Sequence, residues 1–182
     1  MALFAMDDHR IVEWPAGAAY VIAATGEPSG AAACFEKGRS AARECRCGGG
    51  YVRLEGIPET DEAALISLAA ALGYERGPGH GELAGKGVFE KLDLLAPSGA
   101  VFAAGCALEA SRRCAVVLRG GLEMAAVLLI ADRIAGRDGL PMDPRRILFV
   151  TTPQIAEAYG GVMARLFEGM DFSPRLCYET EA

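Results

Sequence analysis

The chain has 182 residues, with 18 Lys+Arg against 24 Asp+Glu for a formal net charge of −6, and it is 52% apolar and 23% charged. That composition excludes a disordered tail or a low-complexity chain and fits a core-forming protein, expected to be one α/β domain over residues 1–182 with an N-terminal extension at 1–16 and a Gly-rich loop at 75–98. It also argues against nucleic acid as a partner, because Lys and Arg are scattered singly or in pairs such as Arg112-Arg113 and Arg145-Arg146 rather than clustered.

The apolar run from Ala18 to Ala24, ending in Thr25-Gly26-Glu27-Pro28-Ser29-Gly30, predicts a buried strand and a turn. From Ala31 to Cys45 apolar and charged residues mix at helical spacing, and Gly48-Gly49-Gly50 separates this helix from a strand at Tyr51-Val52-Arg53-Leu54. Thr60 or Asp61 is the expected N-cap of a helix over Ala63 to Leu72, with Gly73 as its C-cap. Six glycines between Gly73 and Pro97 predict a long surface loop, a candidate mobile lid, with a short helix near Val88 to Leu95. A helix from Ala100 to Cys114, a strand over Ala115 to Leu118, the turn Arg119-Gly120-Gly121 and a helix from Leu122 to Ala135 follow. The last unit repeats the order, with a strand over Ile147 to Val150 and a helix opened by Pro153 and running from Gln154 to Phe167. Short apolar strands alternating with helices predict a three-layer, Rossmann-like, mainly parallel sheet with helices on both faces and right-handed crossovers.

No apolar run reaches the roughly 18 residues of a spanning helix, and the first ten residues lack the charged start and apolar centre of a signal peptide. The expected location is the cytoplasm, without a membrane partner. The six cysteines are too few for a disulfide scaffold and read as small buried apolar residues. The one close pair, Cys45-Arg46-Cys47, has no second pair or nearby His, since the histidines are His9 and His80, so no metal or cofactor is expected.

Ligands of open parallel sheets bind beyond the carboxyl ends of the strands. Four turns lie there, and Arg119-Gly120-Gly121 is the most promising. Its glycines either expose backbone N–H groups to a phosphate at a helix N-terminus or simply meet the steric demand of the turn. Thr151-Thr152 offers two hydroxyls to an anion or a ribose, unless Thr152 only caps the next helix. Glu55, at a strand end, is a candidate general base or substrate-orienting carboxylate, beside the commoner outcome of a solvated loop residue.

At these turns the chain resembles one branch of the nicotinate-nucleotide–dimethylbenzimidazole phosphoribosyltransferase family. Cys114-Ala-Val-Val-Leu-Arg-Gly-Gly-Leu-Glu-Met-Ala-Ala-Val-Leu128 is similar to its "VVLAGGTQMAAVLAL", Phe35 to Arg39 to its "FEKGRE", and Leu54 to Leu65 to its "ESIPGGTTTAL". The motifs at Ala71 to Tyr74, Val101 to Ser111, Val150 to Thr152 and Asp171 to Tyr178 keep the order, so the resemblance covers roughly Ile22 to Glu179. It implies transfer of phosphoribose from nicotinate mononucleotide to a benzimidazole-like or purine base in cobamide lower-ligand assembly. Glu55 would be the base or base-orienting residue, and Arg119, Gly120, Gly121, Glu123, Thr151 and Thr152 would line the nucleotide pocket. Two departures stand out. Glu59-Thr60-Asp61-Glu62 replaces the family's hydroxyl-rich phosphate turn, and its later "KEGVGAGG" stretch has no counterpart here. The expectation is a shortened, divergent relative with a degenerate phosphate loop. The alternative is a non-catalytic Rossmann-like protein that binds a small molecule or nucleotide, or acts as a partner subunit. The apolar helix Met124 to Ile130 leaves a homodimer open.

Overall fold

A computed structural model describes residues 19–23, 30–45, 50–55, 57–75, 83–170 and 175–178. Five strands, β1 (Ala19–Ala23), β2 (Tyr51–Glu55), β3 (Ala115–Arg119), β4 (Ile147–Thr151) and β5 (Arg175–Tyr178), form one sheet in the order β1-β2-β3-β4-β5. Every neighbouring pair is parallel. Among the described residues six α-helices connect or flank them: α1 (Ala31–Glu44), α2 (Glu62–Leu72), α3 (Val88–Leu95), α4 (Ser98–Ser111), α5 (Leu122–Asp138) and α6 (Pro153–Glu168). The α/β class and parallel sheet expected from the sequence are both present, and the helix near Val88 to Leu95 falls where the spacing puts it. Of the Gly-rich loop, Gly77, Gly79 and Gly81 lie outside the described residues, whereas Lys86 N–H donates to Leu83 O in the turn that leads into α3. Residues 1–16 and Asp171 to Ser173 also lie outside them.

Each connection advances by one strand in the same direction. Val52, Leu54, Val116, Leu118, Ile147 and Phe149 alternate onto one face and join a single core with Leu65, Leu68, Leu108, Leu128, Leu129, Ile134 and Leu166 from the helices. Phe149 meets Phe167 of α6 edge-on at 5.7 Å. Val117 and Val150, on the opposite face, are buried but stand outside this core, and Val21 beside them is 49% exposed. The described helices therefore share their core with the Val52, Leu54, Val116, Leu118, Ile147 and Phe149 face of the sheet.

The most extensive helix–helix contact joins α1 to α4. It is built from a repeated Phe-x-x-Gly, Phe35 with Gly38 on α1 and Phe102 with Gly105 on α4. A Cβ on Gly38 would stand 2.0 Å from Phe102 O, and one on Gly105 would stand 2.2 Å from Phe35 O, so each glycine lets the other helix's backbone approach. Part of the "FEKGR" resemblance is thus a packing device. Its arginine closes the lower end, where Arg39, Arg43 and Arg112 all reach the buried Glu109 at 3.2 Å. Burial alone would push Glu109 up, but the hydrogen bonds of Arg43 and Arg39 and the charges of Arg43 and Arg112 hold it below the usual carboxylate range. Cys34, Cys106 and Cys114 are buried thiols, as expected from the sequence, and burial, with a contribution from Cys45, pushes Cys106 up to about 12.

Candidate functional site

The carboxyl edge of the sheet gathers the residues singled out in the sequence. Ala23 pairs with Glu55 and Arg119 with Val150, so Glu55, Arg119 and the Val150-Thr151 end of β4 lie along one edge, with Gly120-Gly121 and Thr152 just beyond. Glu55 ends β2, and its side chain lies outside the described residues. Between β3 and β4 a hollow of about 230 Å³ is lined by Arg119, Gly120, Val150, Thr151, Thr152 and Ile155. Sequence reasoning missed Ile155; it sits three residues after Thr152, and its N–H donates to the Thr152 hydroxyl at 3.3 Å, which makes Thr152 the N-cap of α6.

The Gly120-Gly121 turn does not present two free donors. Gly120 N–H donates to Val150 O at 2.9 Å, tying β3 to β4, and Gly121 N–H donates to Glu123 Oε1 at 2.8 Å. Glu123 itself thus occupies the anion position at the start of α5. The carboxylate lies so near Gly120 that a Cβ there would meet Glu123 Oε1 at 2.0 Å, which accounts for the first glycine. The signal was in the spacing, since an acid two residues past a glycine turn can fold back onto the helix start.

The same arrangement recurs along this edge. At the start of α1, Ala31 N–H donates to Asp93 Oδ1 at 2.5 Å, and at the start of α2, Ala64 N–H donates to Asp61 Oδ1 at 2.7 Å. Helices α1, α2 and α5 therefore begin on carboxylates of this chain, while α6 begins on the neutral hydroxyl of Thr152. Beside it, Thr151 is 2% exposed and its Oγ1 is buried without a hydrogen-bond partner. A helix start without its own negative charge, a buried hydroxyl lacking a partner and the exposed Arg119 converge on one hollow. They suit a phosphate oxygen or a ribose hydroxyl. Among the described residues no group of three or more His, Cys, Asp or Glu is placed to hold a metal, and no helix is long and apolar enough to cross a membrane.

No family model matches the chain. Over 97 residues it is 38% identical to the UPF0284 protein alr0297 of Nostoc sp. (strain PCC 7120), an alignment that spans 51% of this chain and 25% of that protein. Its architecture is similar to the crystal structure of nicotinate-nucleotide–dimethylbenzimidazole phosphoribosyltransferase from Thermus thermophilus, with a TM-score of 0.54 and 20% identity over 84% of this chain and 49% of that one. The chain thus spans about a quarter of the curated relative and about half of the solved chain, and the structural likeness establishes that the two share a fold.

Proposed function

We propose that this chain is a divergent, phosphoribosyltransferase-like protein that binds the ribose-phosphate part of a nucleotide at the β3–β4 edge, in a role linked to cobamide lower-ligand assembly. The observation that carries this reading is the buried Thr151 Oγ1 without a partner, because a hydroxyl taken out of water costs stability unless something accepts or donates to it. Arg119 supplies charge, the start of α6 supplies its dipole, and Glu55 on the same edge is the residue the resemblance assigns to the base. Gly120, Gly121 and Glu123 form the rim. The shared fold and the sequence motifs support a nucleotide of the kind named for the solved relative, with no cofactor required.

A binding role without turnover by the isolated chain follows from the bond between Glu123 and Gly121 and from Asp61 at the start of α2. The groups that would cradle a phosphate there already hold a carboxylate. The test is calorimetric titration with nicotinate mononucleotide, beside a turnover assay with dimethylbenzimidazole. Binding that weakens about tenfold in Thr151→Val, from loss of one hydrogen bond to a charged or polar ligand group, is the expected result. Equal affinity in wild type and Thr151→Val, or no binding, would remove the site from this edge. Turnover by the wild-type chain would keep the site but refute the non-catalytic reading.

A further inference from the structure

At the opposite edge of the sheet, where α2, α5 and α6 end and α3 begins, a cavity of about 520 Å³ opens. Gly73, the left-handed C-cap of α2, lines it with Tyr74, Lys91, Asp132, Arg133 and Arg137. The two arginines are one helical turn apart on α5 and each lies over an aromatic ring, Arg133 at 5.0 Å from the Tyr74 centroid and Arg137 at 5.1 Å from the Phe89 centroid. These rings hold the guanidinium groups in place before any ligand arrives.

The charges are only partly satisfied internally. Arg137 is paired with Asp138 through two bonds of 2.5 and 2.7 Å, and Asp132 accepts the Tyr74 hydroxyl, which also lies 3.2 Å from Leu129 O. Lys91 Nζ uses one donor on Ala71 O at 2.9 Å, at the end of α2. Arg133 differs, because its Nε is buried and has no hydrogen-bond partner. A Cβ on Gly73 would come within 2.6 Å of Arg133 Nη2, so the glycine makes room for that guanidinium against the helix end. In a chain of net charge −6, a cavity that gathers Lys91, Arg133 and Arg137 around apolar Leu72 and Val88 is a built exception.

From this geometry we propose a second ligand site, separate from the β3–β4 hollow, that binds a phosphomonoester of mononucleotide size, with Arg133 and Lys91 on the phosphate and Leu72, Tyr74 and Val88 against the remainder. The volume falls in the range of small-molecule sites, and the planar guanidinium of Arg133 beside the ammonium of Lys91 on the cavity wall is suited to the oxygens of a phosphate. The proposal does not depend on the function proposed for the other edge.

The two sites can be read separately through their glycine amides, which resonate apart from other residues: Gly73, Gly136 and Gly169 border this cavity, Gly120 and Gly121 the other hollow. The experiment is an NMR titration of the full chain with adenosine 5′-monophosphate, and with adenosine as the phosphate-free control. Shifts at Gly73, Gly136 and Gly169 are expected with the monophosphate and absent with adenosine. Arg133→Gln and Lys91→Gln should each weaken that response about tenfold, while Gly121→Asp leaves it unchanged. The pair of variants guards against one of them failing to fold. Shifts confined to Gly120 and Gly121, an equal response to adenosine, or full affinity in both charge variants would overturn the proposal.

Discussion

Replacing Gly38 by Ala perturbs the α1–α4 contact in a way the structure makes calculable. The new methyl would stand 2.0 Å from Phe102 O, 2.9 Å from Phe102 C and 3.1 Å from Cys106 N, all backbone atoms of a helix that no side-chain rotation can move. Ordinary contact begins near 3.4 Å, so the helices must part by about 1.4 Å at the crossing, which forfeits much of the dispersion energy of Phe35, Ala42 and Cys106 around it. Overpacking of this kind costs about 1–3 kcal/mol and occasionally more, and the backbone nature of the clash places it at the upper end. Alanine returns up to about 1 kcal/mol of helix propensity, leaving a net loss of about 2 kcal/mol. For a chain of this length that lowers Tm by about 4–8 °C.

Thermal and urea unfolding followed by circular dichroism would measure this, with Gly160→Ala as an internal control. Gly160 lies within α6, and a Cβ there would meet nothing within 4 Å, so the same substitution should at that position raise stability by about 0.5–1 kcal/mol. Gly105→Ala should resemble Gly38→Ala, and the double variant should lose less than the sum, because helices already parted accommodate the second methyl. A Gly38→Ala variant as stable as wild type would refute the reasoning.

Thr151→Val should raise the stability of the ligand-free chain by about 1 kcal/mol, since it removes a buried hydroxyl without a partner, and chemical denaturation reading a loss instead would mean that the hydroxyl is satisfied. Glu109→Gln should destabilise by about 1–3 kcal/mol near neutrality, a range set below that of a fully buried pair because Arg43 and Arg112 are partly exposed. Because the folded-state carboxyl is held low, its contribution is complete above the ordinary carboxylate range and is lost as pH falls through the depressed value, so the gap between variant and wild type should close on acidification. Glu123→Ala should free Gly121 N–H and strengthen binding of inorganic phosphate at that turn several-fold by calorimetry, and unchanged affinity would show that the carboxylate is no competitor.

Most elements were legible because local signals agree with tertiary need. Asp61 caps α2 and Gly73 ends it at φ +89°, while Pro153 opens α6 after Thr152, each as its chemistry requires. β5 was not legible: Arg175-Leu-Cys-Tyr178 is four residues long, with a charged first position, and its strand state comes from pairing with β4. The division of the sheet's faces also escaped the pattern, because Val116, Val117 and Leu118 are all fully buried although Val116 and Leu118 alone of the three join the core shared with the helices. At the site, composition and spacing located the turns. They could not show that Gly120 N–H is taken by Val150 O, since that bond depends on a strand about 30 residues away in sequence.

The carboxylates at the helix starts narrow where chemistry can occur. A parallel α/β sheet presents several positive helix ends along one edge, and each is an anion site by default. Here Asp93, Asp61 and Glu123 occupy those of α1, α2 and α5, and a phosphate reaching any of them must displace a tethered carboxylate that faces no translational entropy cost. The start of α6 carries a hydroxyl instead, and Thr151 and Arg119 stand beside it. On the proposed reading, a dianionic ligand at the start of α6 would meet no capping carboxylate of the kind found at α1, α2 and α5. The hollow's roughly 230 Å³ admits a ribose or a phosphate but falls short of typical sites for whole ligands, so on the proposed reading the rest of a nucleotide would lie outside it, along the edge that Glu55 shares. Phosphate recognition would on that reading fall to β4 and base recognition to β2, with β3 and its Gly120-Gly121 turn between them.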